Sequence, residues 1–403
     1  MLNRRVVVTG IGVVSSIGIG KDDFWKNLVN GKSGISEIES FNTSNYGTHK
    51  GGEVRGFDSA DFIDKNKAKN IGRATQFAIA ATKLAISDAK MNMSSIPKDK
   101  IGAIIGTTMA DSQRLEEMDK TWIESGDDKV DPGLVPQYPG NAISMNVGFD
   151  FELKNMVAAI PTACSAGNYS IGYSYDLIRT GKADVMFAGG ADSFSKIAFT
   201  GFNRLFAVAP EKCQPFDKNR KGMMVGEGAG VLVLESLDNA KKRKANIYAE
   251  VLGYALSCDA HHMTAPSSEG ITRVMSKAMR NAGIEPKDVD YISAHGTGTP
   301  ANDKAECAAV KEVFGPRYKD IPMSSIKSML GHTMGAASAI EAIICCLVIT
   351  DKIIPPTINY ETPDPECDID CVPNKACKKK VQVALNNSLA FGGNNACLVV
   401  RKM

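Results

Sequence analysis

The sequence predicts a layered α/β protein. Short Val/Ile-rich runs ending in Gly, Ser or Thr recur along the chain, and helical patterns lie between them. With 43% hydrophobic and 23% charged residues over 403 positions, the chain also has enough apolar side chain for a large core, and extensive disorder is excluded.

The strand candidates, in order, are Arg5–Thr9, Ile101–Thr107, Val185–Gly189, Gly230–Glu235, Asp290–Ala294 and Cys397–Val400. Continuous apolar runs of this length, bounded by turn residues, suit strands buried on both faces. Gly72–Ala89 is Ala-rich with no internal Pro, and Thr272–Ala282 and Ala301–Val313 read as helices in the same way. Gly10-Ile-Gly12 begins like a dinucleotide fingerprint but lacks the third Gly, and reads as a tight strand-to-loop turn. The basic run Lys241–Lys244 follows a strand candidate and reads as a solvated helix end. Ala159–Ile171 and Ile321–Ala336 both pass from an apolar stretch through a small-residue turn, a faint internal echo of duplication.

Composition narrows the function classes. Lys plus Arg (47) nearly balance Asp plus Glu (45), so there is no global field for nucleic acid, and any pull on an acidic partner must be local. Ten cysteines in a chain this long fall far short of a disulfide scaffold and fit a reducing compartment. Cys367, Cys371 and Cys377 have no nearby His and no C-x-x-C pair, which argues against zinc. The opening Met1–Gly10 fails as a signal peptide because Gly and Ser interrupt it and no cleavage site follows. No later stretch of membrane-spanning length is free of charge, Gly and Pro, so the expectation is a cytoplasmic protein with no membrane span.

Chemistry concentrates in three small-residue turns. Thr162-Ala-Cys164-Ser-Ala-Gly167 can bring a strand sharply into a helix N-terminus, where unsatisfied N–H groups favour a thiolate and one can face an oxyanion. Taken alone, Cys164 could equally be an inert core residue. Two of the five histidines, His295 and His332, sit in Gly/Thr/Ser-rich turns after strand-like runs, and together with the thiol they point to one site assembled from distant segments. A metal alternative using Asp303 and Glu306 is disfavoured, since His295 and Asp303 straddle a Gly/Pro turn rather than one helix face.

The blocks around Cys164, Ala294–Glu306, Ser325–His332 and Asn387–Asn394, with Ala183–Ala191, Pro215-Phe-Asp217, Gly226–Gly230 and Asp259–Thr264, resemble in order the signatures of β-ketoacyl-acyl-carrier-protein synthases. The nearest form is the synthase II type or the related ketosynthase subunit of bacterial polyketide and polyene systems. The resemblance implies a thiolase-like fold: two duplicated halves, 1–245 with the cysteine and 246–403 with the histidines, in five alternating α-β-α-β-α layers. It implies a decarboxylative Claisen condensation in which Cys164 takes the acyl group and His295 and His332 stabilise the malonyl enolate. Lys327 would organise the histidine pair and ion-pair with Glu306. Thr297 and Thr299 would bind the pantetheine arm. Phe391 would gate the site beside Gly392 and Gly393, its N–H joining that of Cys164 in the oxyanion hole. Met109 and Phe202 would meet the acyl chain. The gate departs from the usual pattern, with Ala390 where elongation synthases have Gly. Lys65, Lys67, Lys69 and Arg73 are candidates for docking an acidic carrier protein, or equally a solvated helix face. No resident cofactor or metal is implied; phosphopantetheine enters on the carrier. The expected assembly is a homodimer, or a heterodimer with a chain-length-factor subunit. The retained Cys164 and histidine pair weigh against the remaining alternative, a non-catalytic partner that only binds carrier or sets chain length.

Overall fold

A computed structural model describes residues 3–403; Met1 and Leu2 of the opening segment lie outside the described residues. Five strands of the first half, β1 (Val6–Ser15), β2 (Ile101–Gly106), β3 (Val157–Ile160), β4 (Val185–Asp192) and β5 (Gly228–Ser236), lie in the order β3-β2-β4-β5-β1. Five of the second, β6 (Ala249–Cys258), β7 (Tyr291–Ser293), β8 (Met323–Ser324), β9 (Val383–Ser388) and β10 (Asn394–Arg401), lie in the order β8-β7-β9-β10-β6. In both sets the first three strands are parallel and the last two join antiparallel. The same order and the same directions, twice, make the duplication explicit. Val6–Val8 pair with Ala249–Val251 and join the two sheets at one edge.

Six helices complete the layers: α1 (Arg73–Asp88), α2 (Ala142–Asp150), α3 (Ala166–Arg179), α4 (Ser268–Ala282), α5 (Pro300–Phe314) and α6 (Ala337–Asp351). α1 and α2 cover the outer face of the first sheet, α4 and α5 that of the second, and α3 and α6 lie side by side between the sheets, touching both. This is the five-layered thiolase-like arrangement.

Local sequence explains each layer. Every residue of β1, β2, β4 and β5 is buried, as continuous apolar runs require in a sheet covered on both faces. α4 buries Ile271, Val274, Met275, Ala278 and Met279 at helical spacing; Ser267 caps its start and Gly283, at φ 68°, ends it. α6 is buried from Ala337 through Ile349 and belongs to the stretch Met334–Asp351, long and apolar enough to cross a membrane yet 89% buried inside the molecule.

One expectation fails here. Gly10 and Gly12 do not make a strand-to-loop turn; they lie inside β1, which continues to Ser15. A Cβ on Gly12 would stand 1.8 Å from the Ala81 carbonyl oxygen, and one on Gly10 2.3 Å from that of Ala85, so the glycines let α1 lie directly on the strand. The basic run does sit at a helix end, that of Leu237–Lys242.

Candidate active site

Cys164 stands where β3 turns into α3. Ala163 adopts φ 49°, a left-handed conformation that costs a non-glycine residue about 1–2 kcal/mol. The cost is met by a sharp bend that places residues 163–165 as a single turn at the head of α3. The Ser165 hydroxyl donates to the Asn394 carbonyl at 2.7 Å, tying this turn to β10. The second half repeats the device: Met334, at φ 53°, opens the turn 334–336 that leads into α6, and His332 lies just before it.

Cys164, His295 and His332 come together, one side-chain ligand atom of each lying within 4.8 Å of the others. The two imidazoles cross at 81° with centroids 5.4 Å apart. All three residues are buried. The Met334 N–H donates to His332 Nδ1 at 3.2 Å, so a neutral His332 carries its proton on Nε2, which has no partner among the described residues. His295 Nδ1 is likewise buried and unpartnered. Burial, with the charge of Lys327, holds both imidazoles well below the usual histidine range, so both are neutral at pH 7. Burial pushes the Cys164 thiol up to about 12, against the opposing pull of Lys327 and of the Cys164 and Phe391 backbone N–H groups, while the Asp192 charge adds a smaller upward push.

The expected Lys327–Glu306 pair does not form. Lys327 is buried, and its ammonium donates to the His295 carbonyl at 2.6 Å and to the Glu341 carboxylate. Glu306 instead accepts the backbone N–H groups of His295 and Gly296, each at 2.9 Å. The reason lies in the layering. α5, which carries Glu306, flanks the His295 turn from outside, whereas α6 brings Glu341 up from the central layer. Lys327 and Glu306 thus hold the His295 turn from opposite sides. Burial pushes Glu341 up to about 7, with Lys327 pulling it back.

A narrow cavity of about 50 Å³ opens from the three reactive residues, lined among others by Thr297, Thr299, Phe202, Phe391 and Gly393. The Thr297 and Thr299 hydroxyls are 2.8 Å apart, and the Phe202 and Phe391 rings meet at 6.0 Å. Gly392 (φ 84°) and Gly393 (φ 78°) use conformations that glycine adopts freely, and both bond to the facing loop, Gly392 N–H to Met263 O and Asp259 N–H to Gly393 O. Met109 does not line this cavity; its N–H is held by Asp192.

Of the cationic group, Arg73 is committed elsewhere. It is 2.7 Å from the buried Glu227 and lies over the Phe77 ring, and Lys67 pairs with Asp150 at 2.8 Å. Lys65 and Lys69 are exposed. Asp303 turns away from the histidines to the Phe216 and Gly298 N–H groups. The Cys-His-His atoms are a conceivable soft-metal set, but the Lys327 ammonium that depresses both imidazoles also opposes a cation there. Sequence reasoning missed Glu341 and Asp192, and it placed the cavity residues His262 and Met263 in the block Asp259–Thr264 without giving them a role. Glu341 had one signal, a lone charge inside the apolar run Ala337–Ile349.

Comparison with known proteins agrees with this geometry. Residues 3–240 match the model of the beta-ketoacyl synthase N-terminal domain and residues 248–361 that of the C-terminal domain. The chain is 42% identical over 408 residues to a 3-oxoacyl-[acyl-carrier-protein] synthase 2 of Staphylococcus aureus, covering 99% of each protein. It is 39% identical over 408 residues to the protein of that name from Synechocystis sp., covering 99% of this chain and 98% of the relative. Among solved structures, the ishigamide ketosynthase/chain length factor superposes with a TM-score of 0.97 at 43% identity, covering 100% of both chains. A type II polyketide ketosynthase solved in complex with its acyl-carrier protein superposes with a TM-score of 0.92 at 35% identity, again over 100% of both. With both family domains matched in order and relatives aligned almost end to end, this chain belongs to the β-ketoacyl synthase family of condensing acyltransferases.

Proposed function

We propose that the chain condenses malonyl-acyl carrier protein with an acyl group held on Cys164, releasing carbon dioxide and giving β-ketoacyl carrier protein, as in fatty-acid elongation. The observation that carries this reading is the meeting of one thiol with two neutral imidazoles, one of which keeps its Nε2 proton free in the cavity. In the first half-reaction Cys164 attacks the acyl thioester, the Cys164 and Phe391 N–H groups hold the tetrahedral oxyanion, and the carrier's pantetheine thiol leaves. The Cys164 proton ends on the departing sulfur. A thioester on Cys164 keeps an electrophilic carbonyl for the second step.

In that step the bond from the malonyl α-carbon to its carboxylate breaks, and the electron pair moves onto an enolate. Its oxygen receives hydrogen bonds from His295 and His332. The α-carbon then attacks the acyl carbonyl and Cys164 departs as thiolate, taking up a proton afterwards. Losing one such donor costs about 10²–10³ in rate. Lys327 with Glu341, and Glu306 on the opposite side, orient the His295 turn. The Thr297 and Thr299 hydroxyls suit the pantetheine arm, and Phe202 and Phe391 flank the acyl entrance. Carrier protein is the partner this chemistry demands; Lys65 and Lys69, with the more committed Lys67 and Arg73, are the candidate docking charges. The unpaired edge of β3, beside exposed Met156 and Tyr173, supports assembly as a dimer. Ten free cysteines fit a reducing, cytoplasmic setting, and no resident cofactor is called for.

Incubation with acyl carrier protein is expected to leave an acyl mass adduct on Cys164; an active enzyme with Cys164 unmodified would refute the assignment. His295→Ala or His332→Ala is expected to spare much of the acyl loading while suppressing carbon dioxide release. A second reading, a ketosynthase of a specialised polyketide or polyene pathway, draws on the 0.97 superposition with the ishigamide ketosynthase/chain length factor. Product masses from a panel of acyl carriers separate the two pathways.

A further inference from the structure

Asp192, the last residue of β4, is fully buried and held by hydrogen-bond donors. Its Oδ1 accepts from the Thr107 hydroxyl (2.8 Å) and from the N–H groups of Met109 (2.8 Å) and Ala110 (3.0 Å). Its Oδ2 accepts from the Thr108 N–H (2.8 Å) and, from the other half of the molecule, the Gly335 N–H (2.7 Å). A Cβ on Gly335 would lie 2.6 Å from Thr107 Cα and 2.7 Å from Asp192 Oδ2, so the two segments touch with nothing between them. The residue before Gly335 is Met334, whose N–H fixes His332 Nδ1 as an acceptor.

We infer that Asp192 is a positioning residue for His332: by holding the Gly335 N–H it sets the 334–336 turn and, through Met334, the ring orientation that presents the Nε2 proton to the cavity. The same carboxylate holds segment 107–110, so the histidine and the loop carrying Met109 share one anchor. This inference rests on the condensing reading above, in which His332 acts on malonyl rather than acyl thioester.

Asp192→Asn tests it directly. An amide offers one acceptor oxygen where the carboxylate offers two. With three donors on the Oδ1 side and two on the Oδ2 side, the amide oxygen settles toward Thr107, Met109 and Ala110, leaving its NH₂ against the Thr108 and Gly335 N–H groups. Misplacing a catalytic group by an ångström costs up to about 10²-fold, so carbon dioxide release from malonyl carrier protein is expected to fall about 10- to 100-fold. Acyl loading of Cys164, followed by intact mass, is expected to change little. ¹⁵N-histidine NMR is expected to show His332 as the Nε2–H tautomer in the wild type and a mixture in the variant. Thr107→Val, which removes the hydroxyl donor to Oδ1, leaves the Ala110 N–H on Oδ1 alone and keeps the side-chain volume, is expected to shift the ratio of the two half-reactions in the same direction by less, and it decides the matter if Asp192→Asn does not fold. Equal loss of both half-reactions, or an unchanged ratio and tautomer in a folded variant, overturns the inference. A wild-type enzyme that releases no carbon dioxide would instead sink the condensing reading, and the tautomer would still judge Asp192.

Discussion

The Lys327–Glu341 ion pair is the residue-level feature on which both histidines depend. Its ammonium sits in the protein interior, bonds the His295 carbonyl and adds its charge to the burial that keeps both rings neutral. Breaking a buried pair from one side strands the other charge at a cost of about 3–5 kcal/mol. Lys327→Met or Glu341→Leu alone is therefore expected to lower stability by about that amount in urea unfolding. The double variant is expected to recover most of the stability and none of the condensing activity. The thiol makes a pH prediction. Because burial raises Cys164 to about 12, its thiolate is scarce at neutral pH and grows with each unit up to that value. Alkylation of Cys164 by iodoacetamide should keep rising from pH 7 to 10, with no plateau at the ordinary thiol value of 9.0. A plateau near pH 7 would show that the helix terminus and Lys327 outweigh burial.

Strand-to-helix turns generate the site at the level of elements. Both halves place a left-handed non-glycine residue, Ala163 or Met334, at the head of a central helix, and Cys164 and His332, in or just before these turns, line the same cavity because α3 and α6 pack side by side. Gly167 permits that approach, since a Cβ there would stand 2.5 Å from the Ala339 nitrogen. Behind it, Asn168, Asn386 and Ser338 form a buried hydrogen-bonded cluster joining α3, β9 and α6. Asn386, with Asn387 and Ser388 after it, hid β9 from a reading based on apolar runs, just as Gly10 and Gly12 disguised the length of β1. Gly12→Ala is expected to cost about 1–3 kcal/mol or more, because the added methyl meets the α1 backbone. Activity per folded molecule should be unchanged, as Gly12 lies in the outer packing and not at the cavity; thermal unfolding together with active-site titration checks both. The turns holding Cys164, His295 and His332 were legible because small residues flank chemically distinctive ones. Asp192 was not, because nothing local distinguishes an acidic residue at a strand end from a solvated one.

Across the whole molecule, the two sheets clamp α3 and α6, so the reacting groups of both halves meet at the centre. β3 ends the first sheet with one edge unpaired, and the Cys164 turn follows it within a few residues. Tyr173, half exposed on α3 beside that edge, is a surface position where a charge leaves the fold intact. Tyr173→Glu is expected to convert a dimer to monomers in sedimentation and, by freeing the edge beside the elbow, to reduce acyl loading. A dimer that persists would place the interface elsewhere.

The strands and helices with a clean apolar period, and the small-residue turns that carry Cys164, His295 and His332, were readable from the chain because both are local properties; β6 and β9 were not. The choice of Glu341 over Glu306 as partner of Lys327, the tautomer of His332 and the reach of Asp192 from one half to the other were decided only on folding. Each depends on packing that no local pattern records: the central layer carries Glu341, and not Glu306, to Lys327, the 334–336 turn aims the Met334 N–H at His332, and Asp192 meets a Gly335 N–H from the other half of the chain.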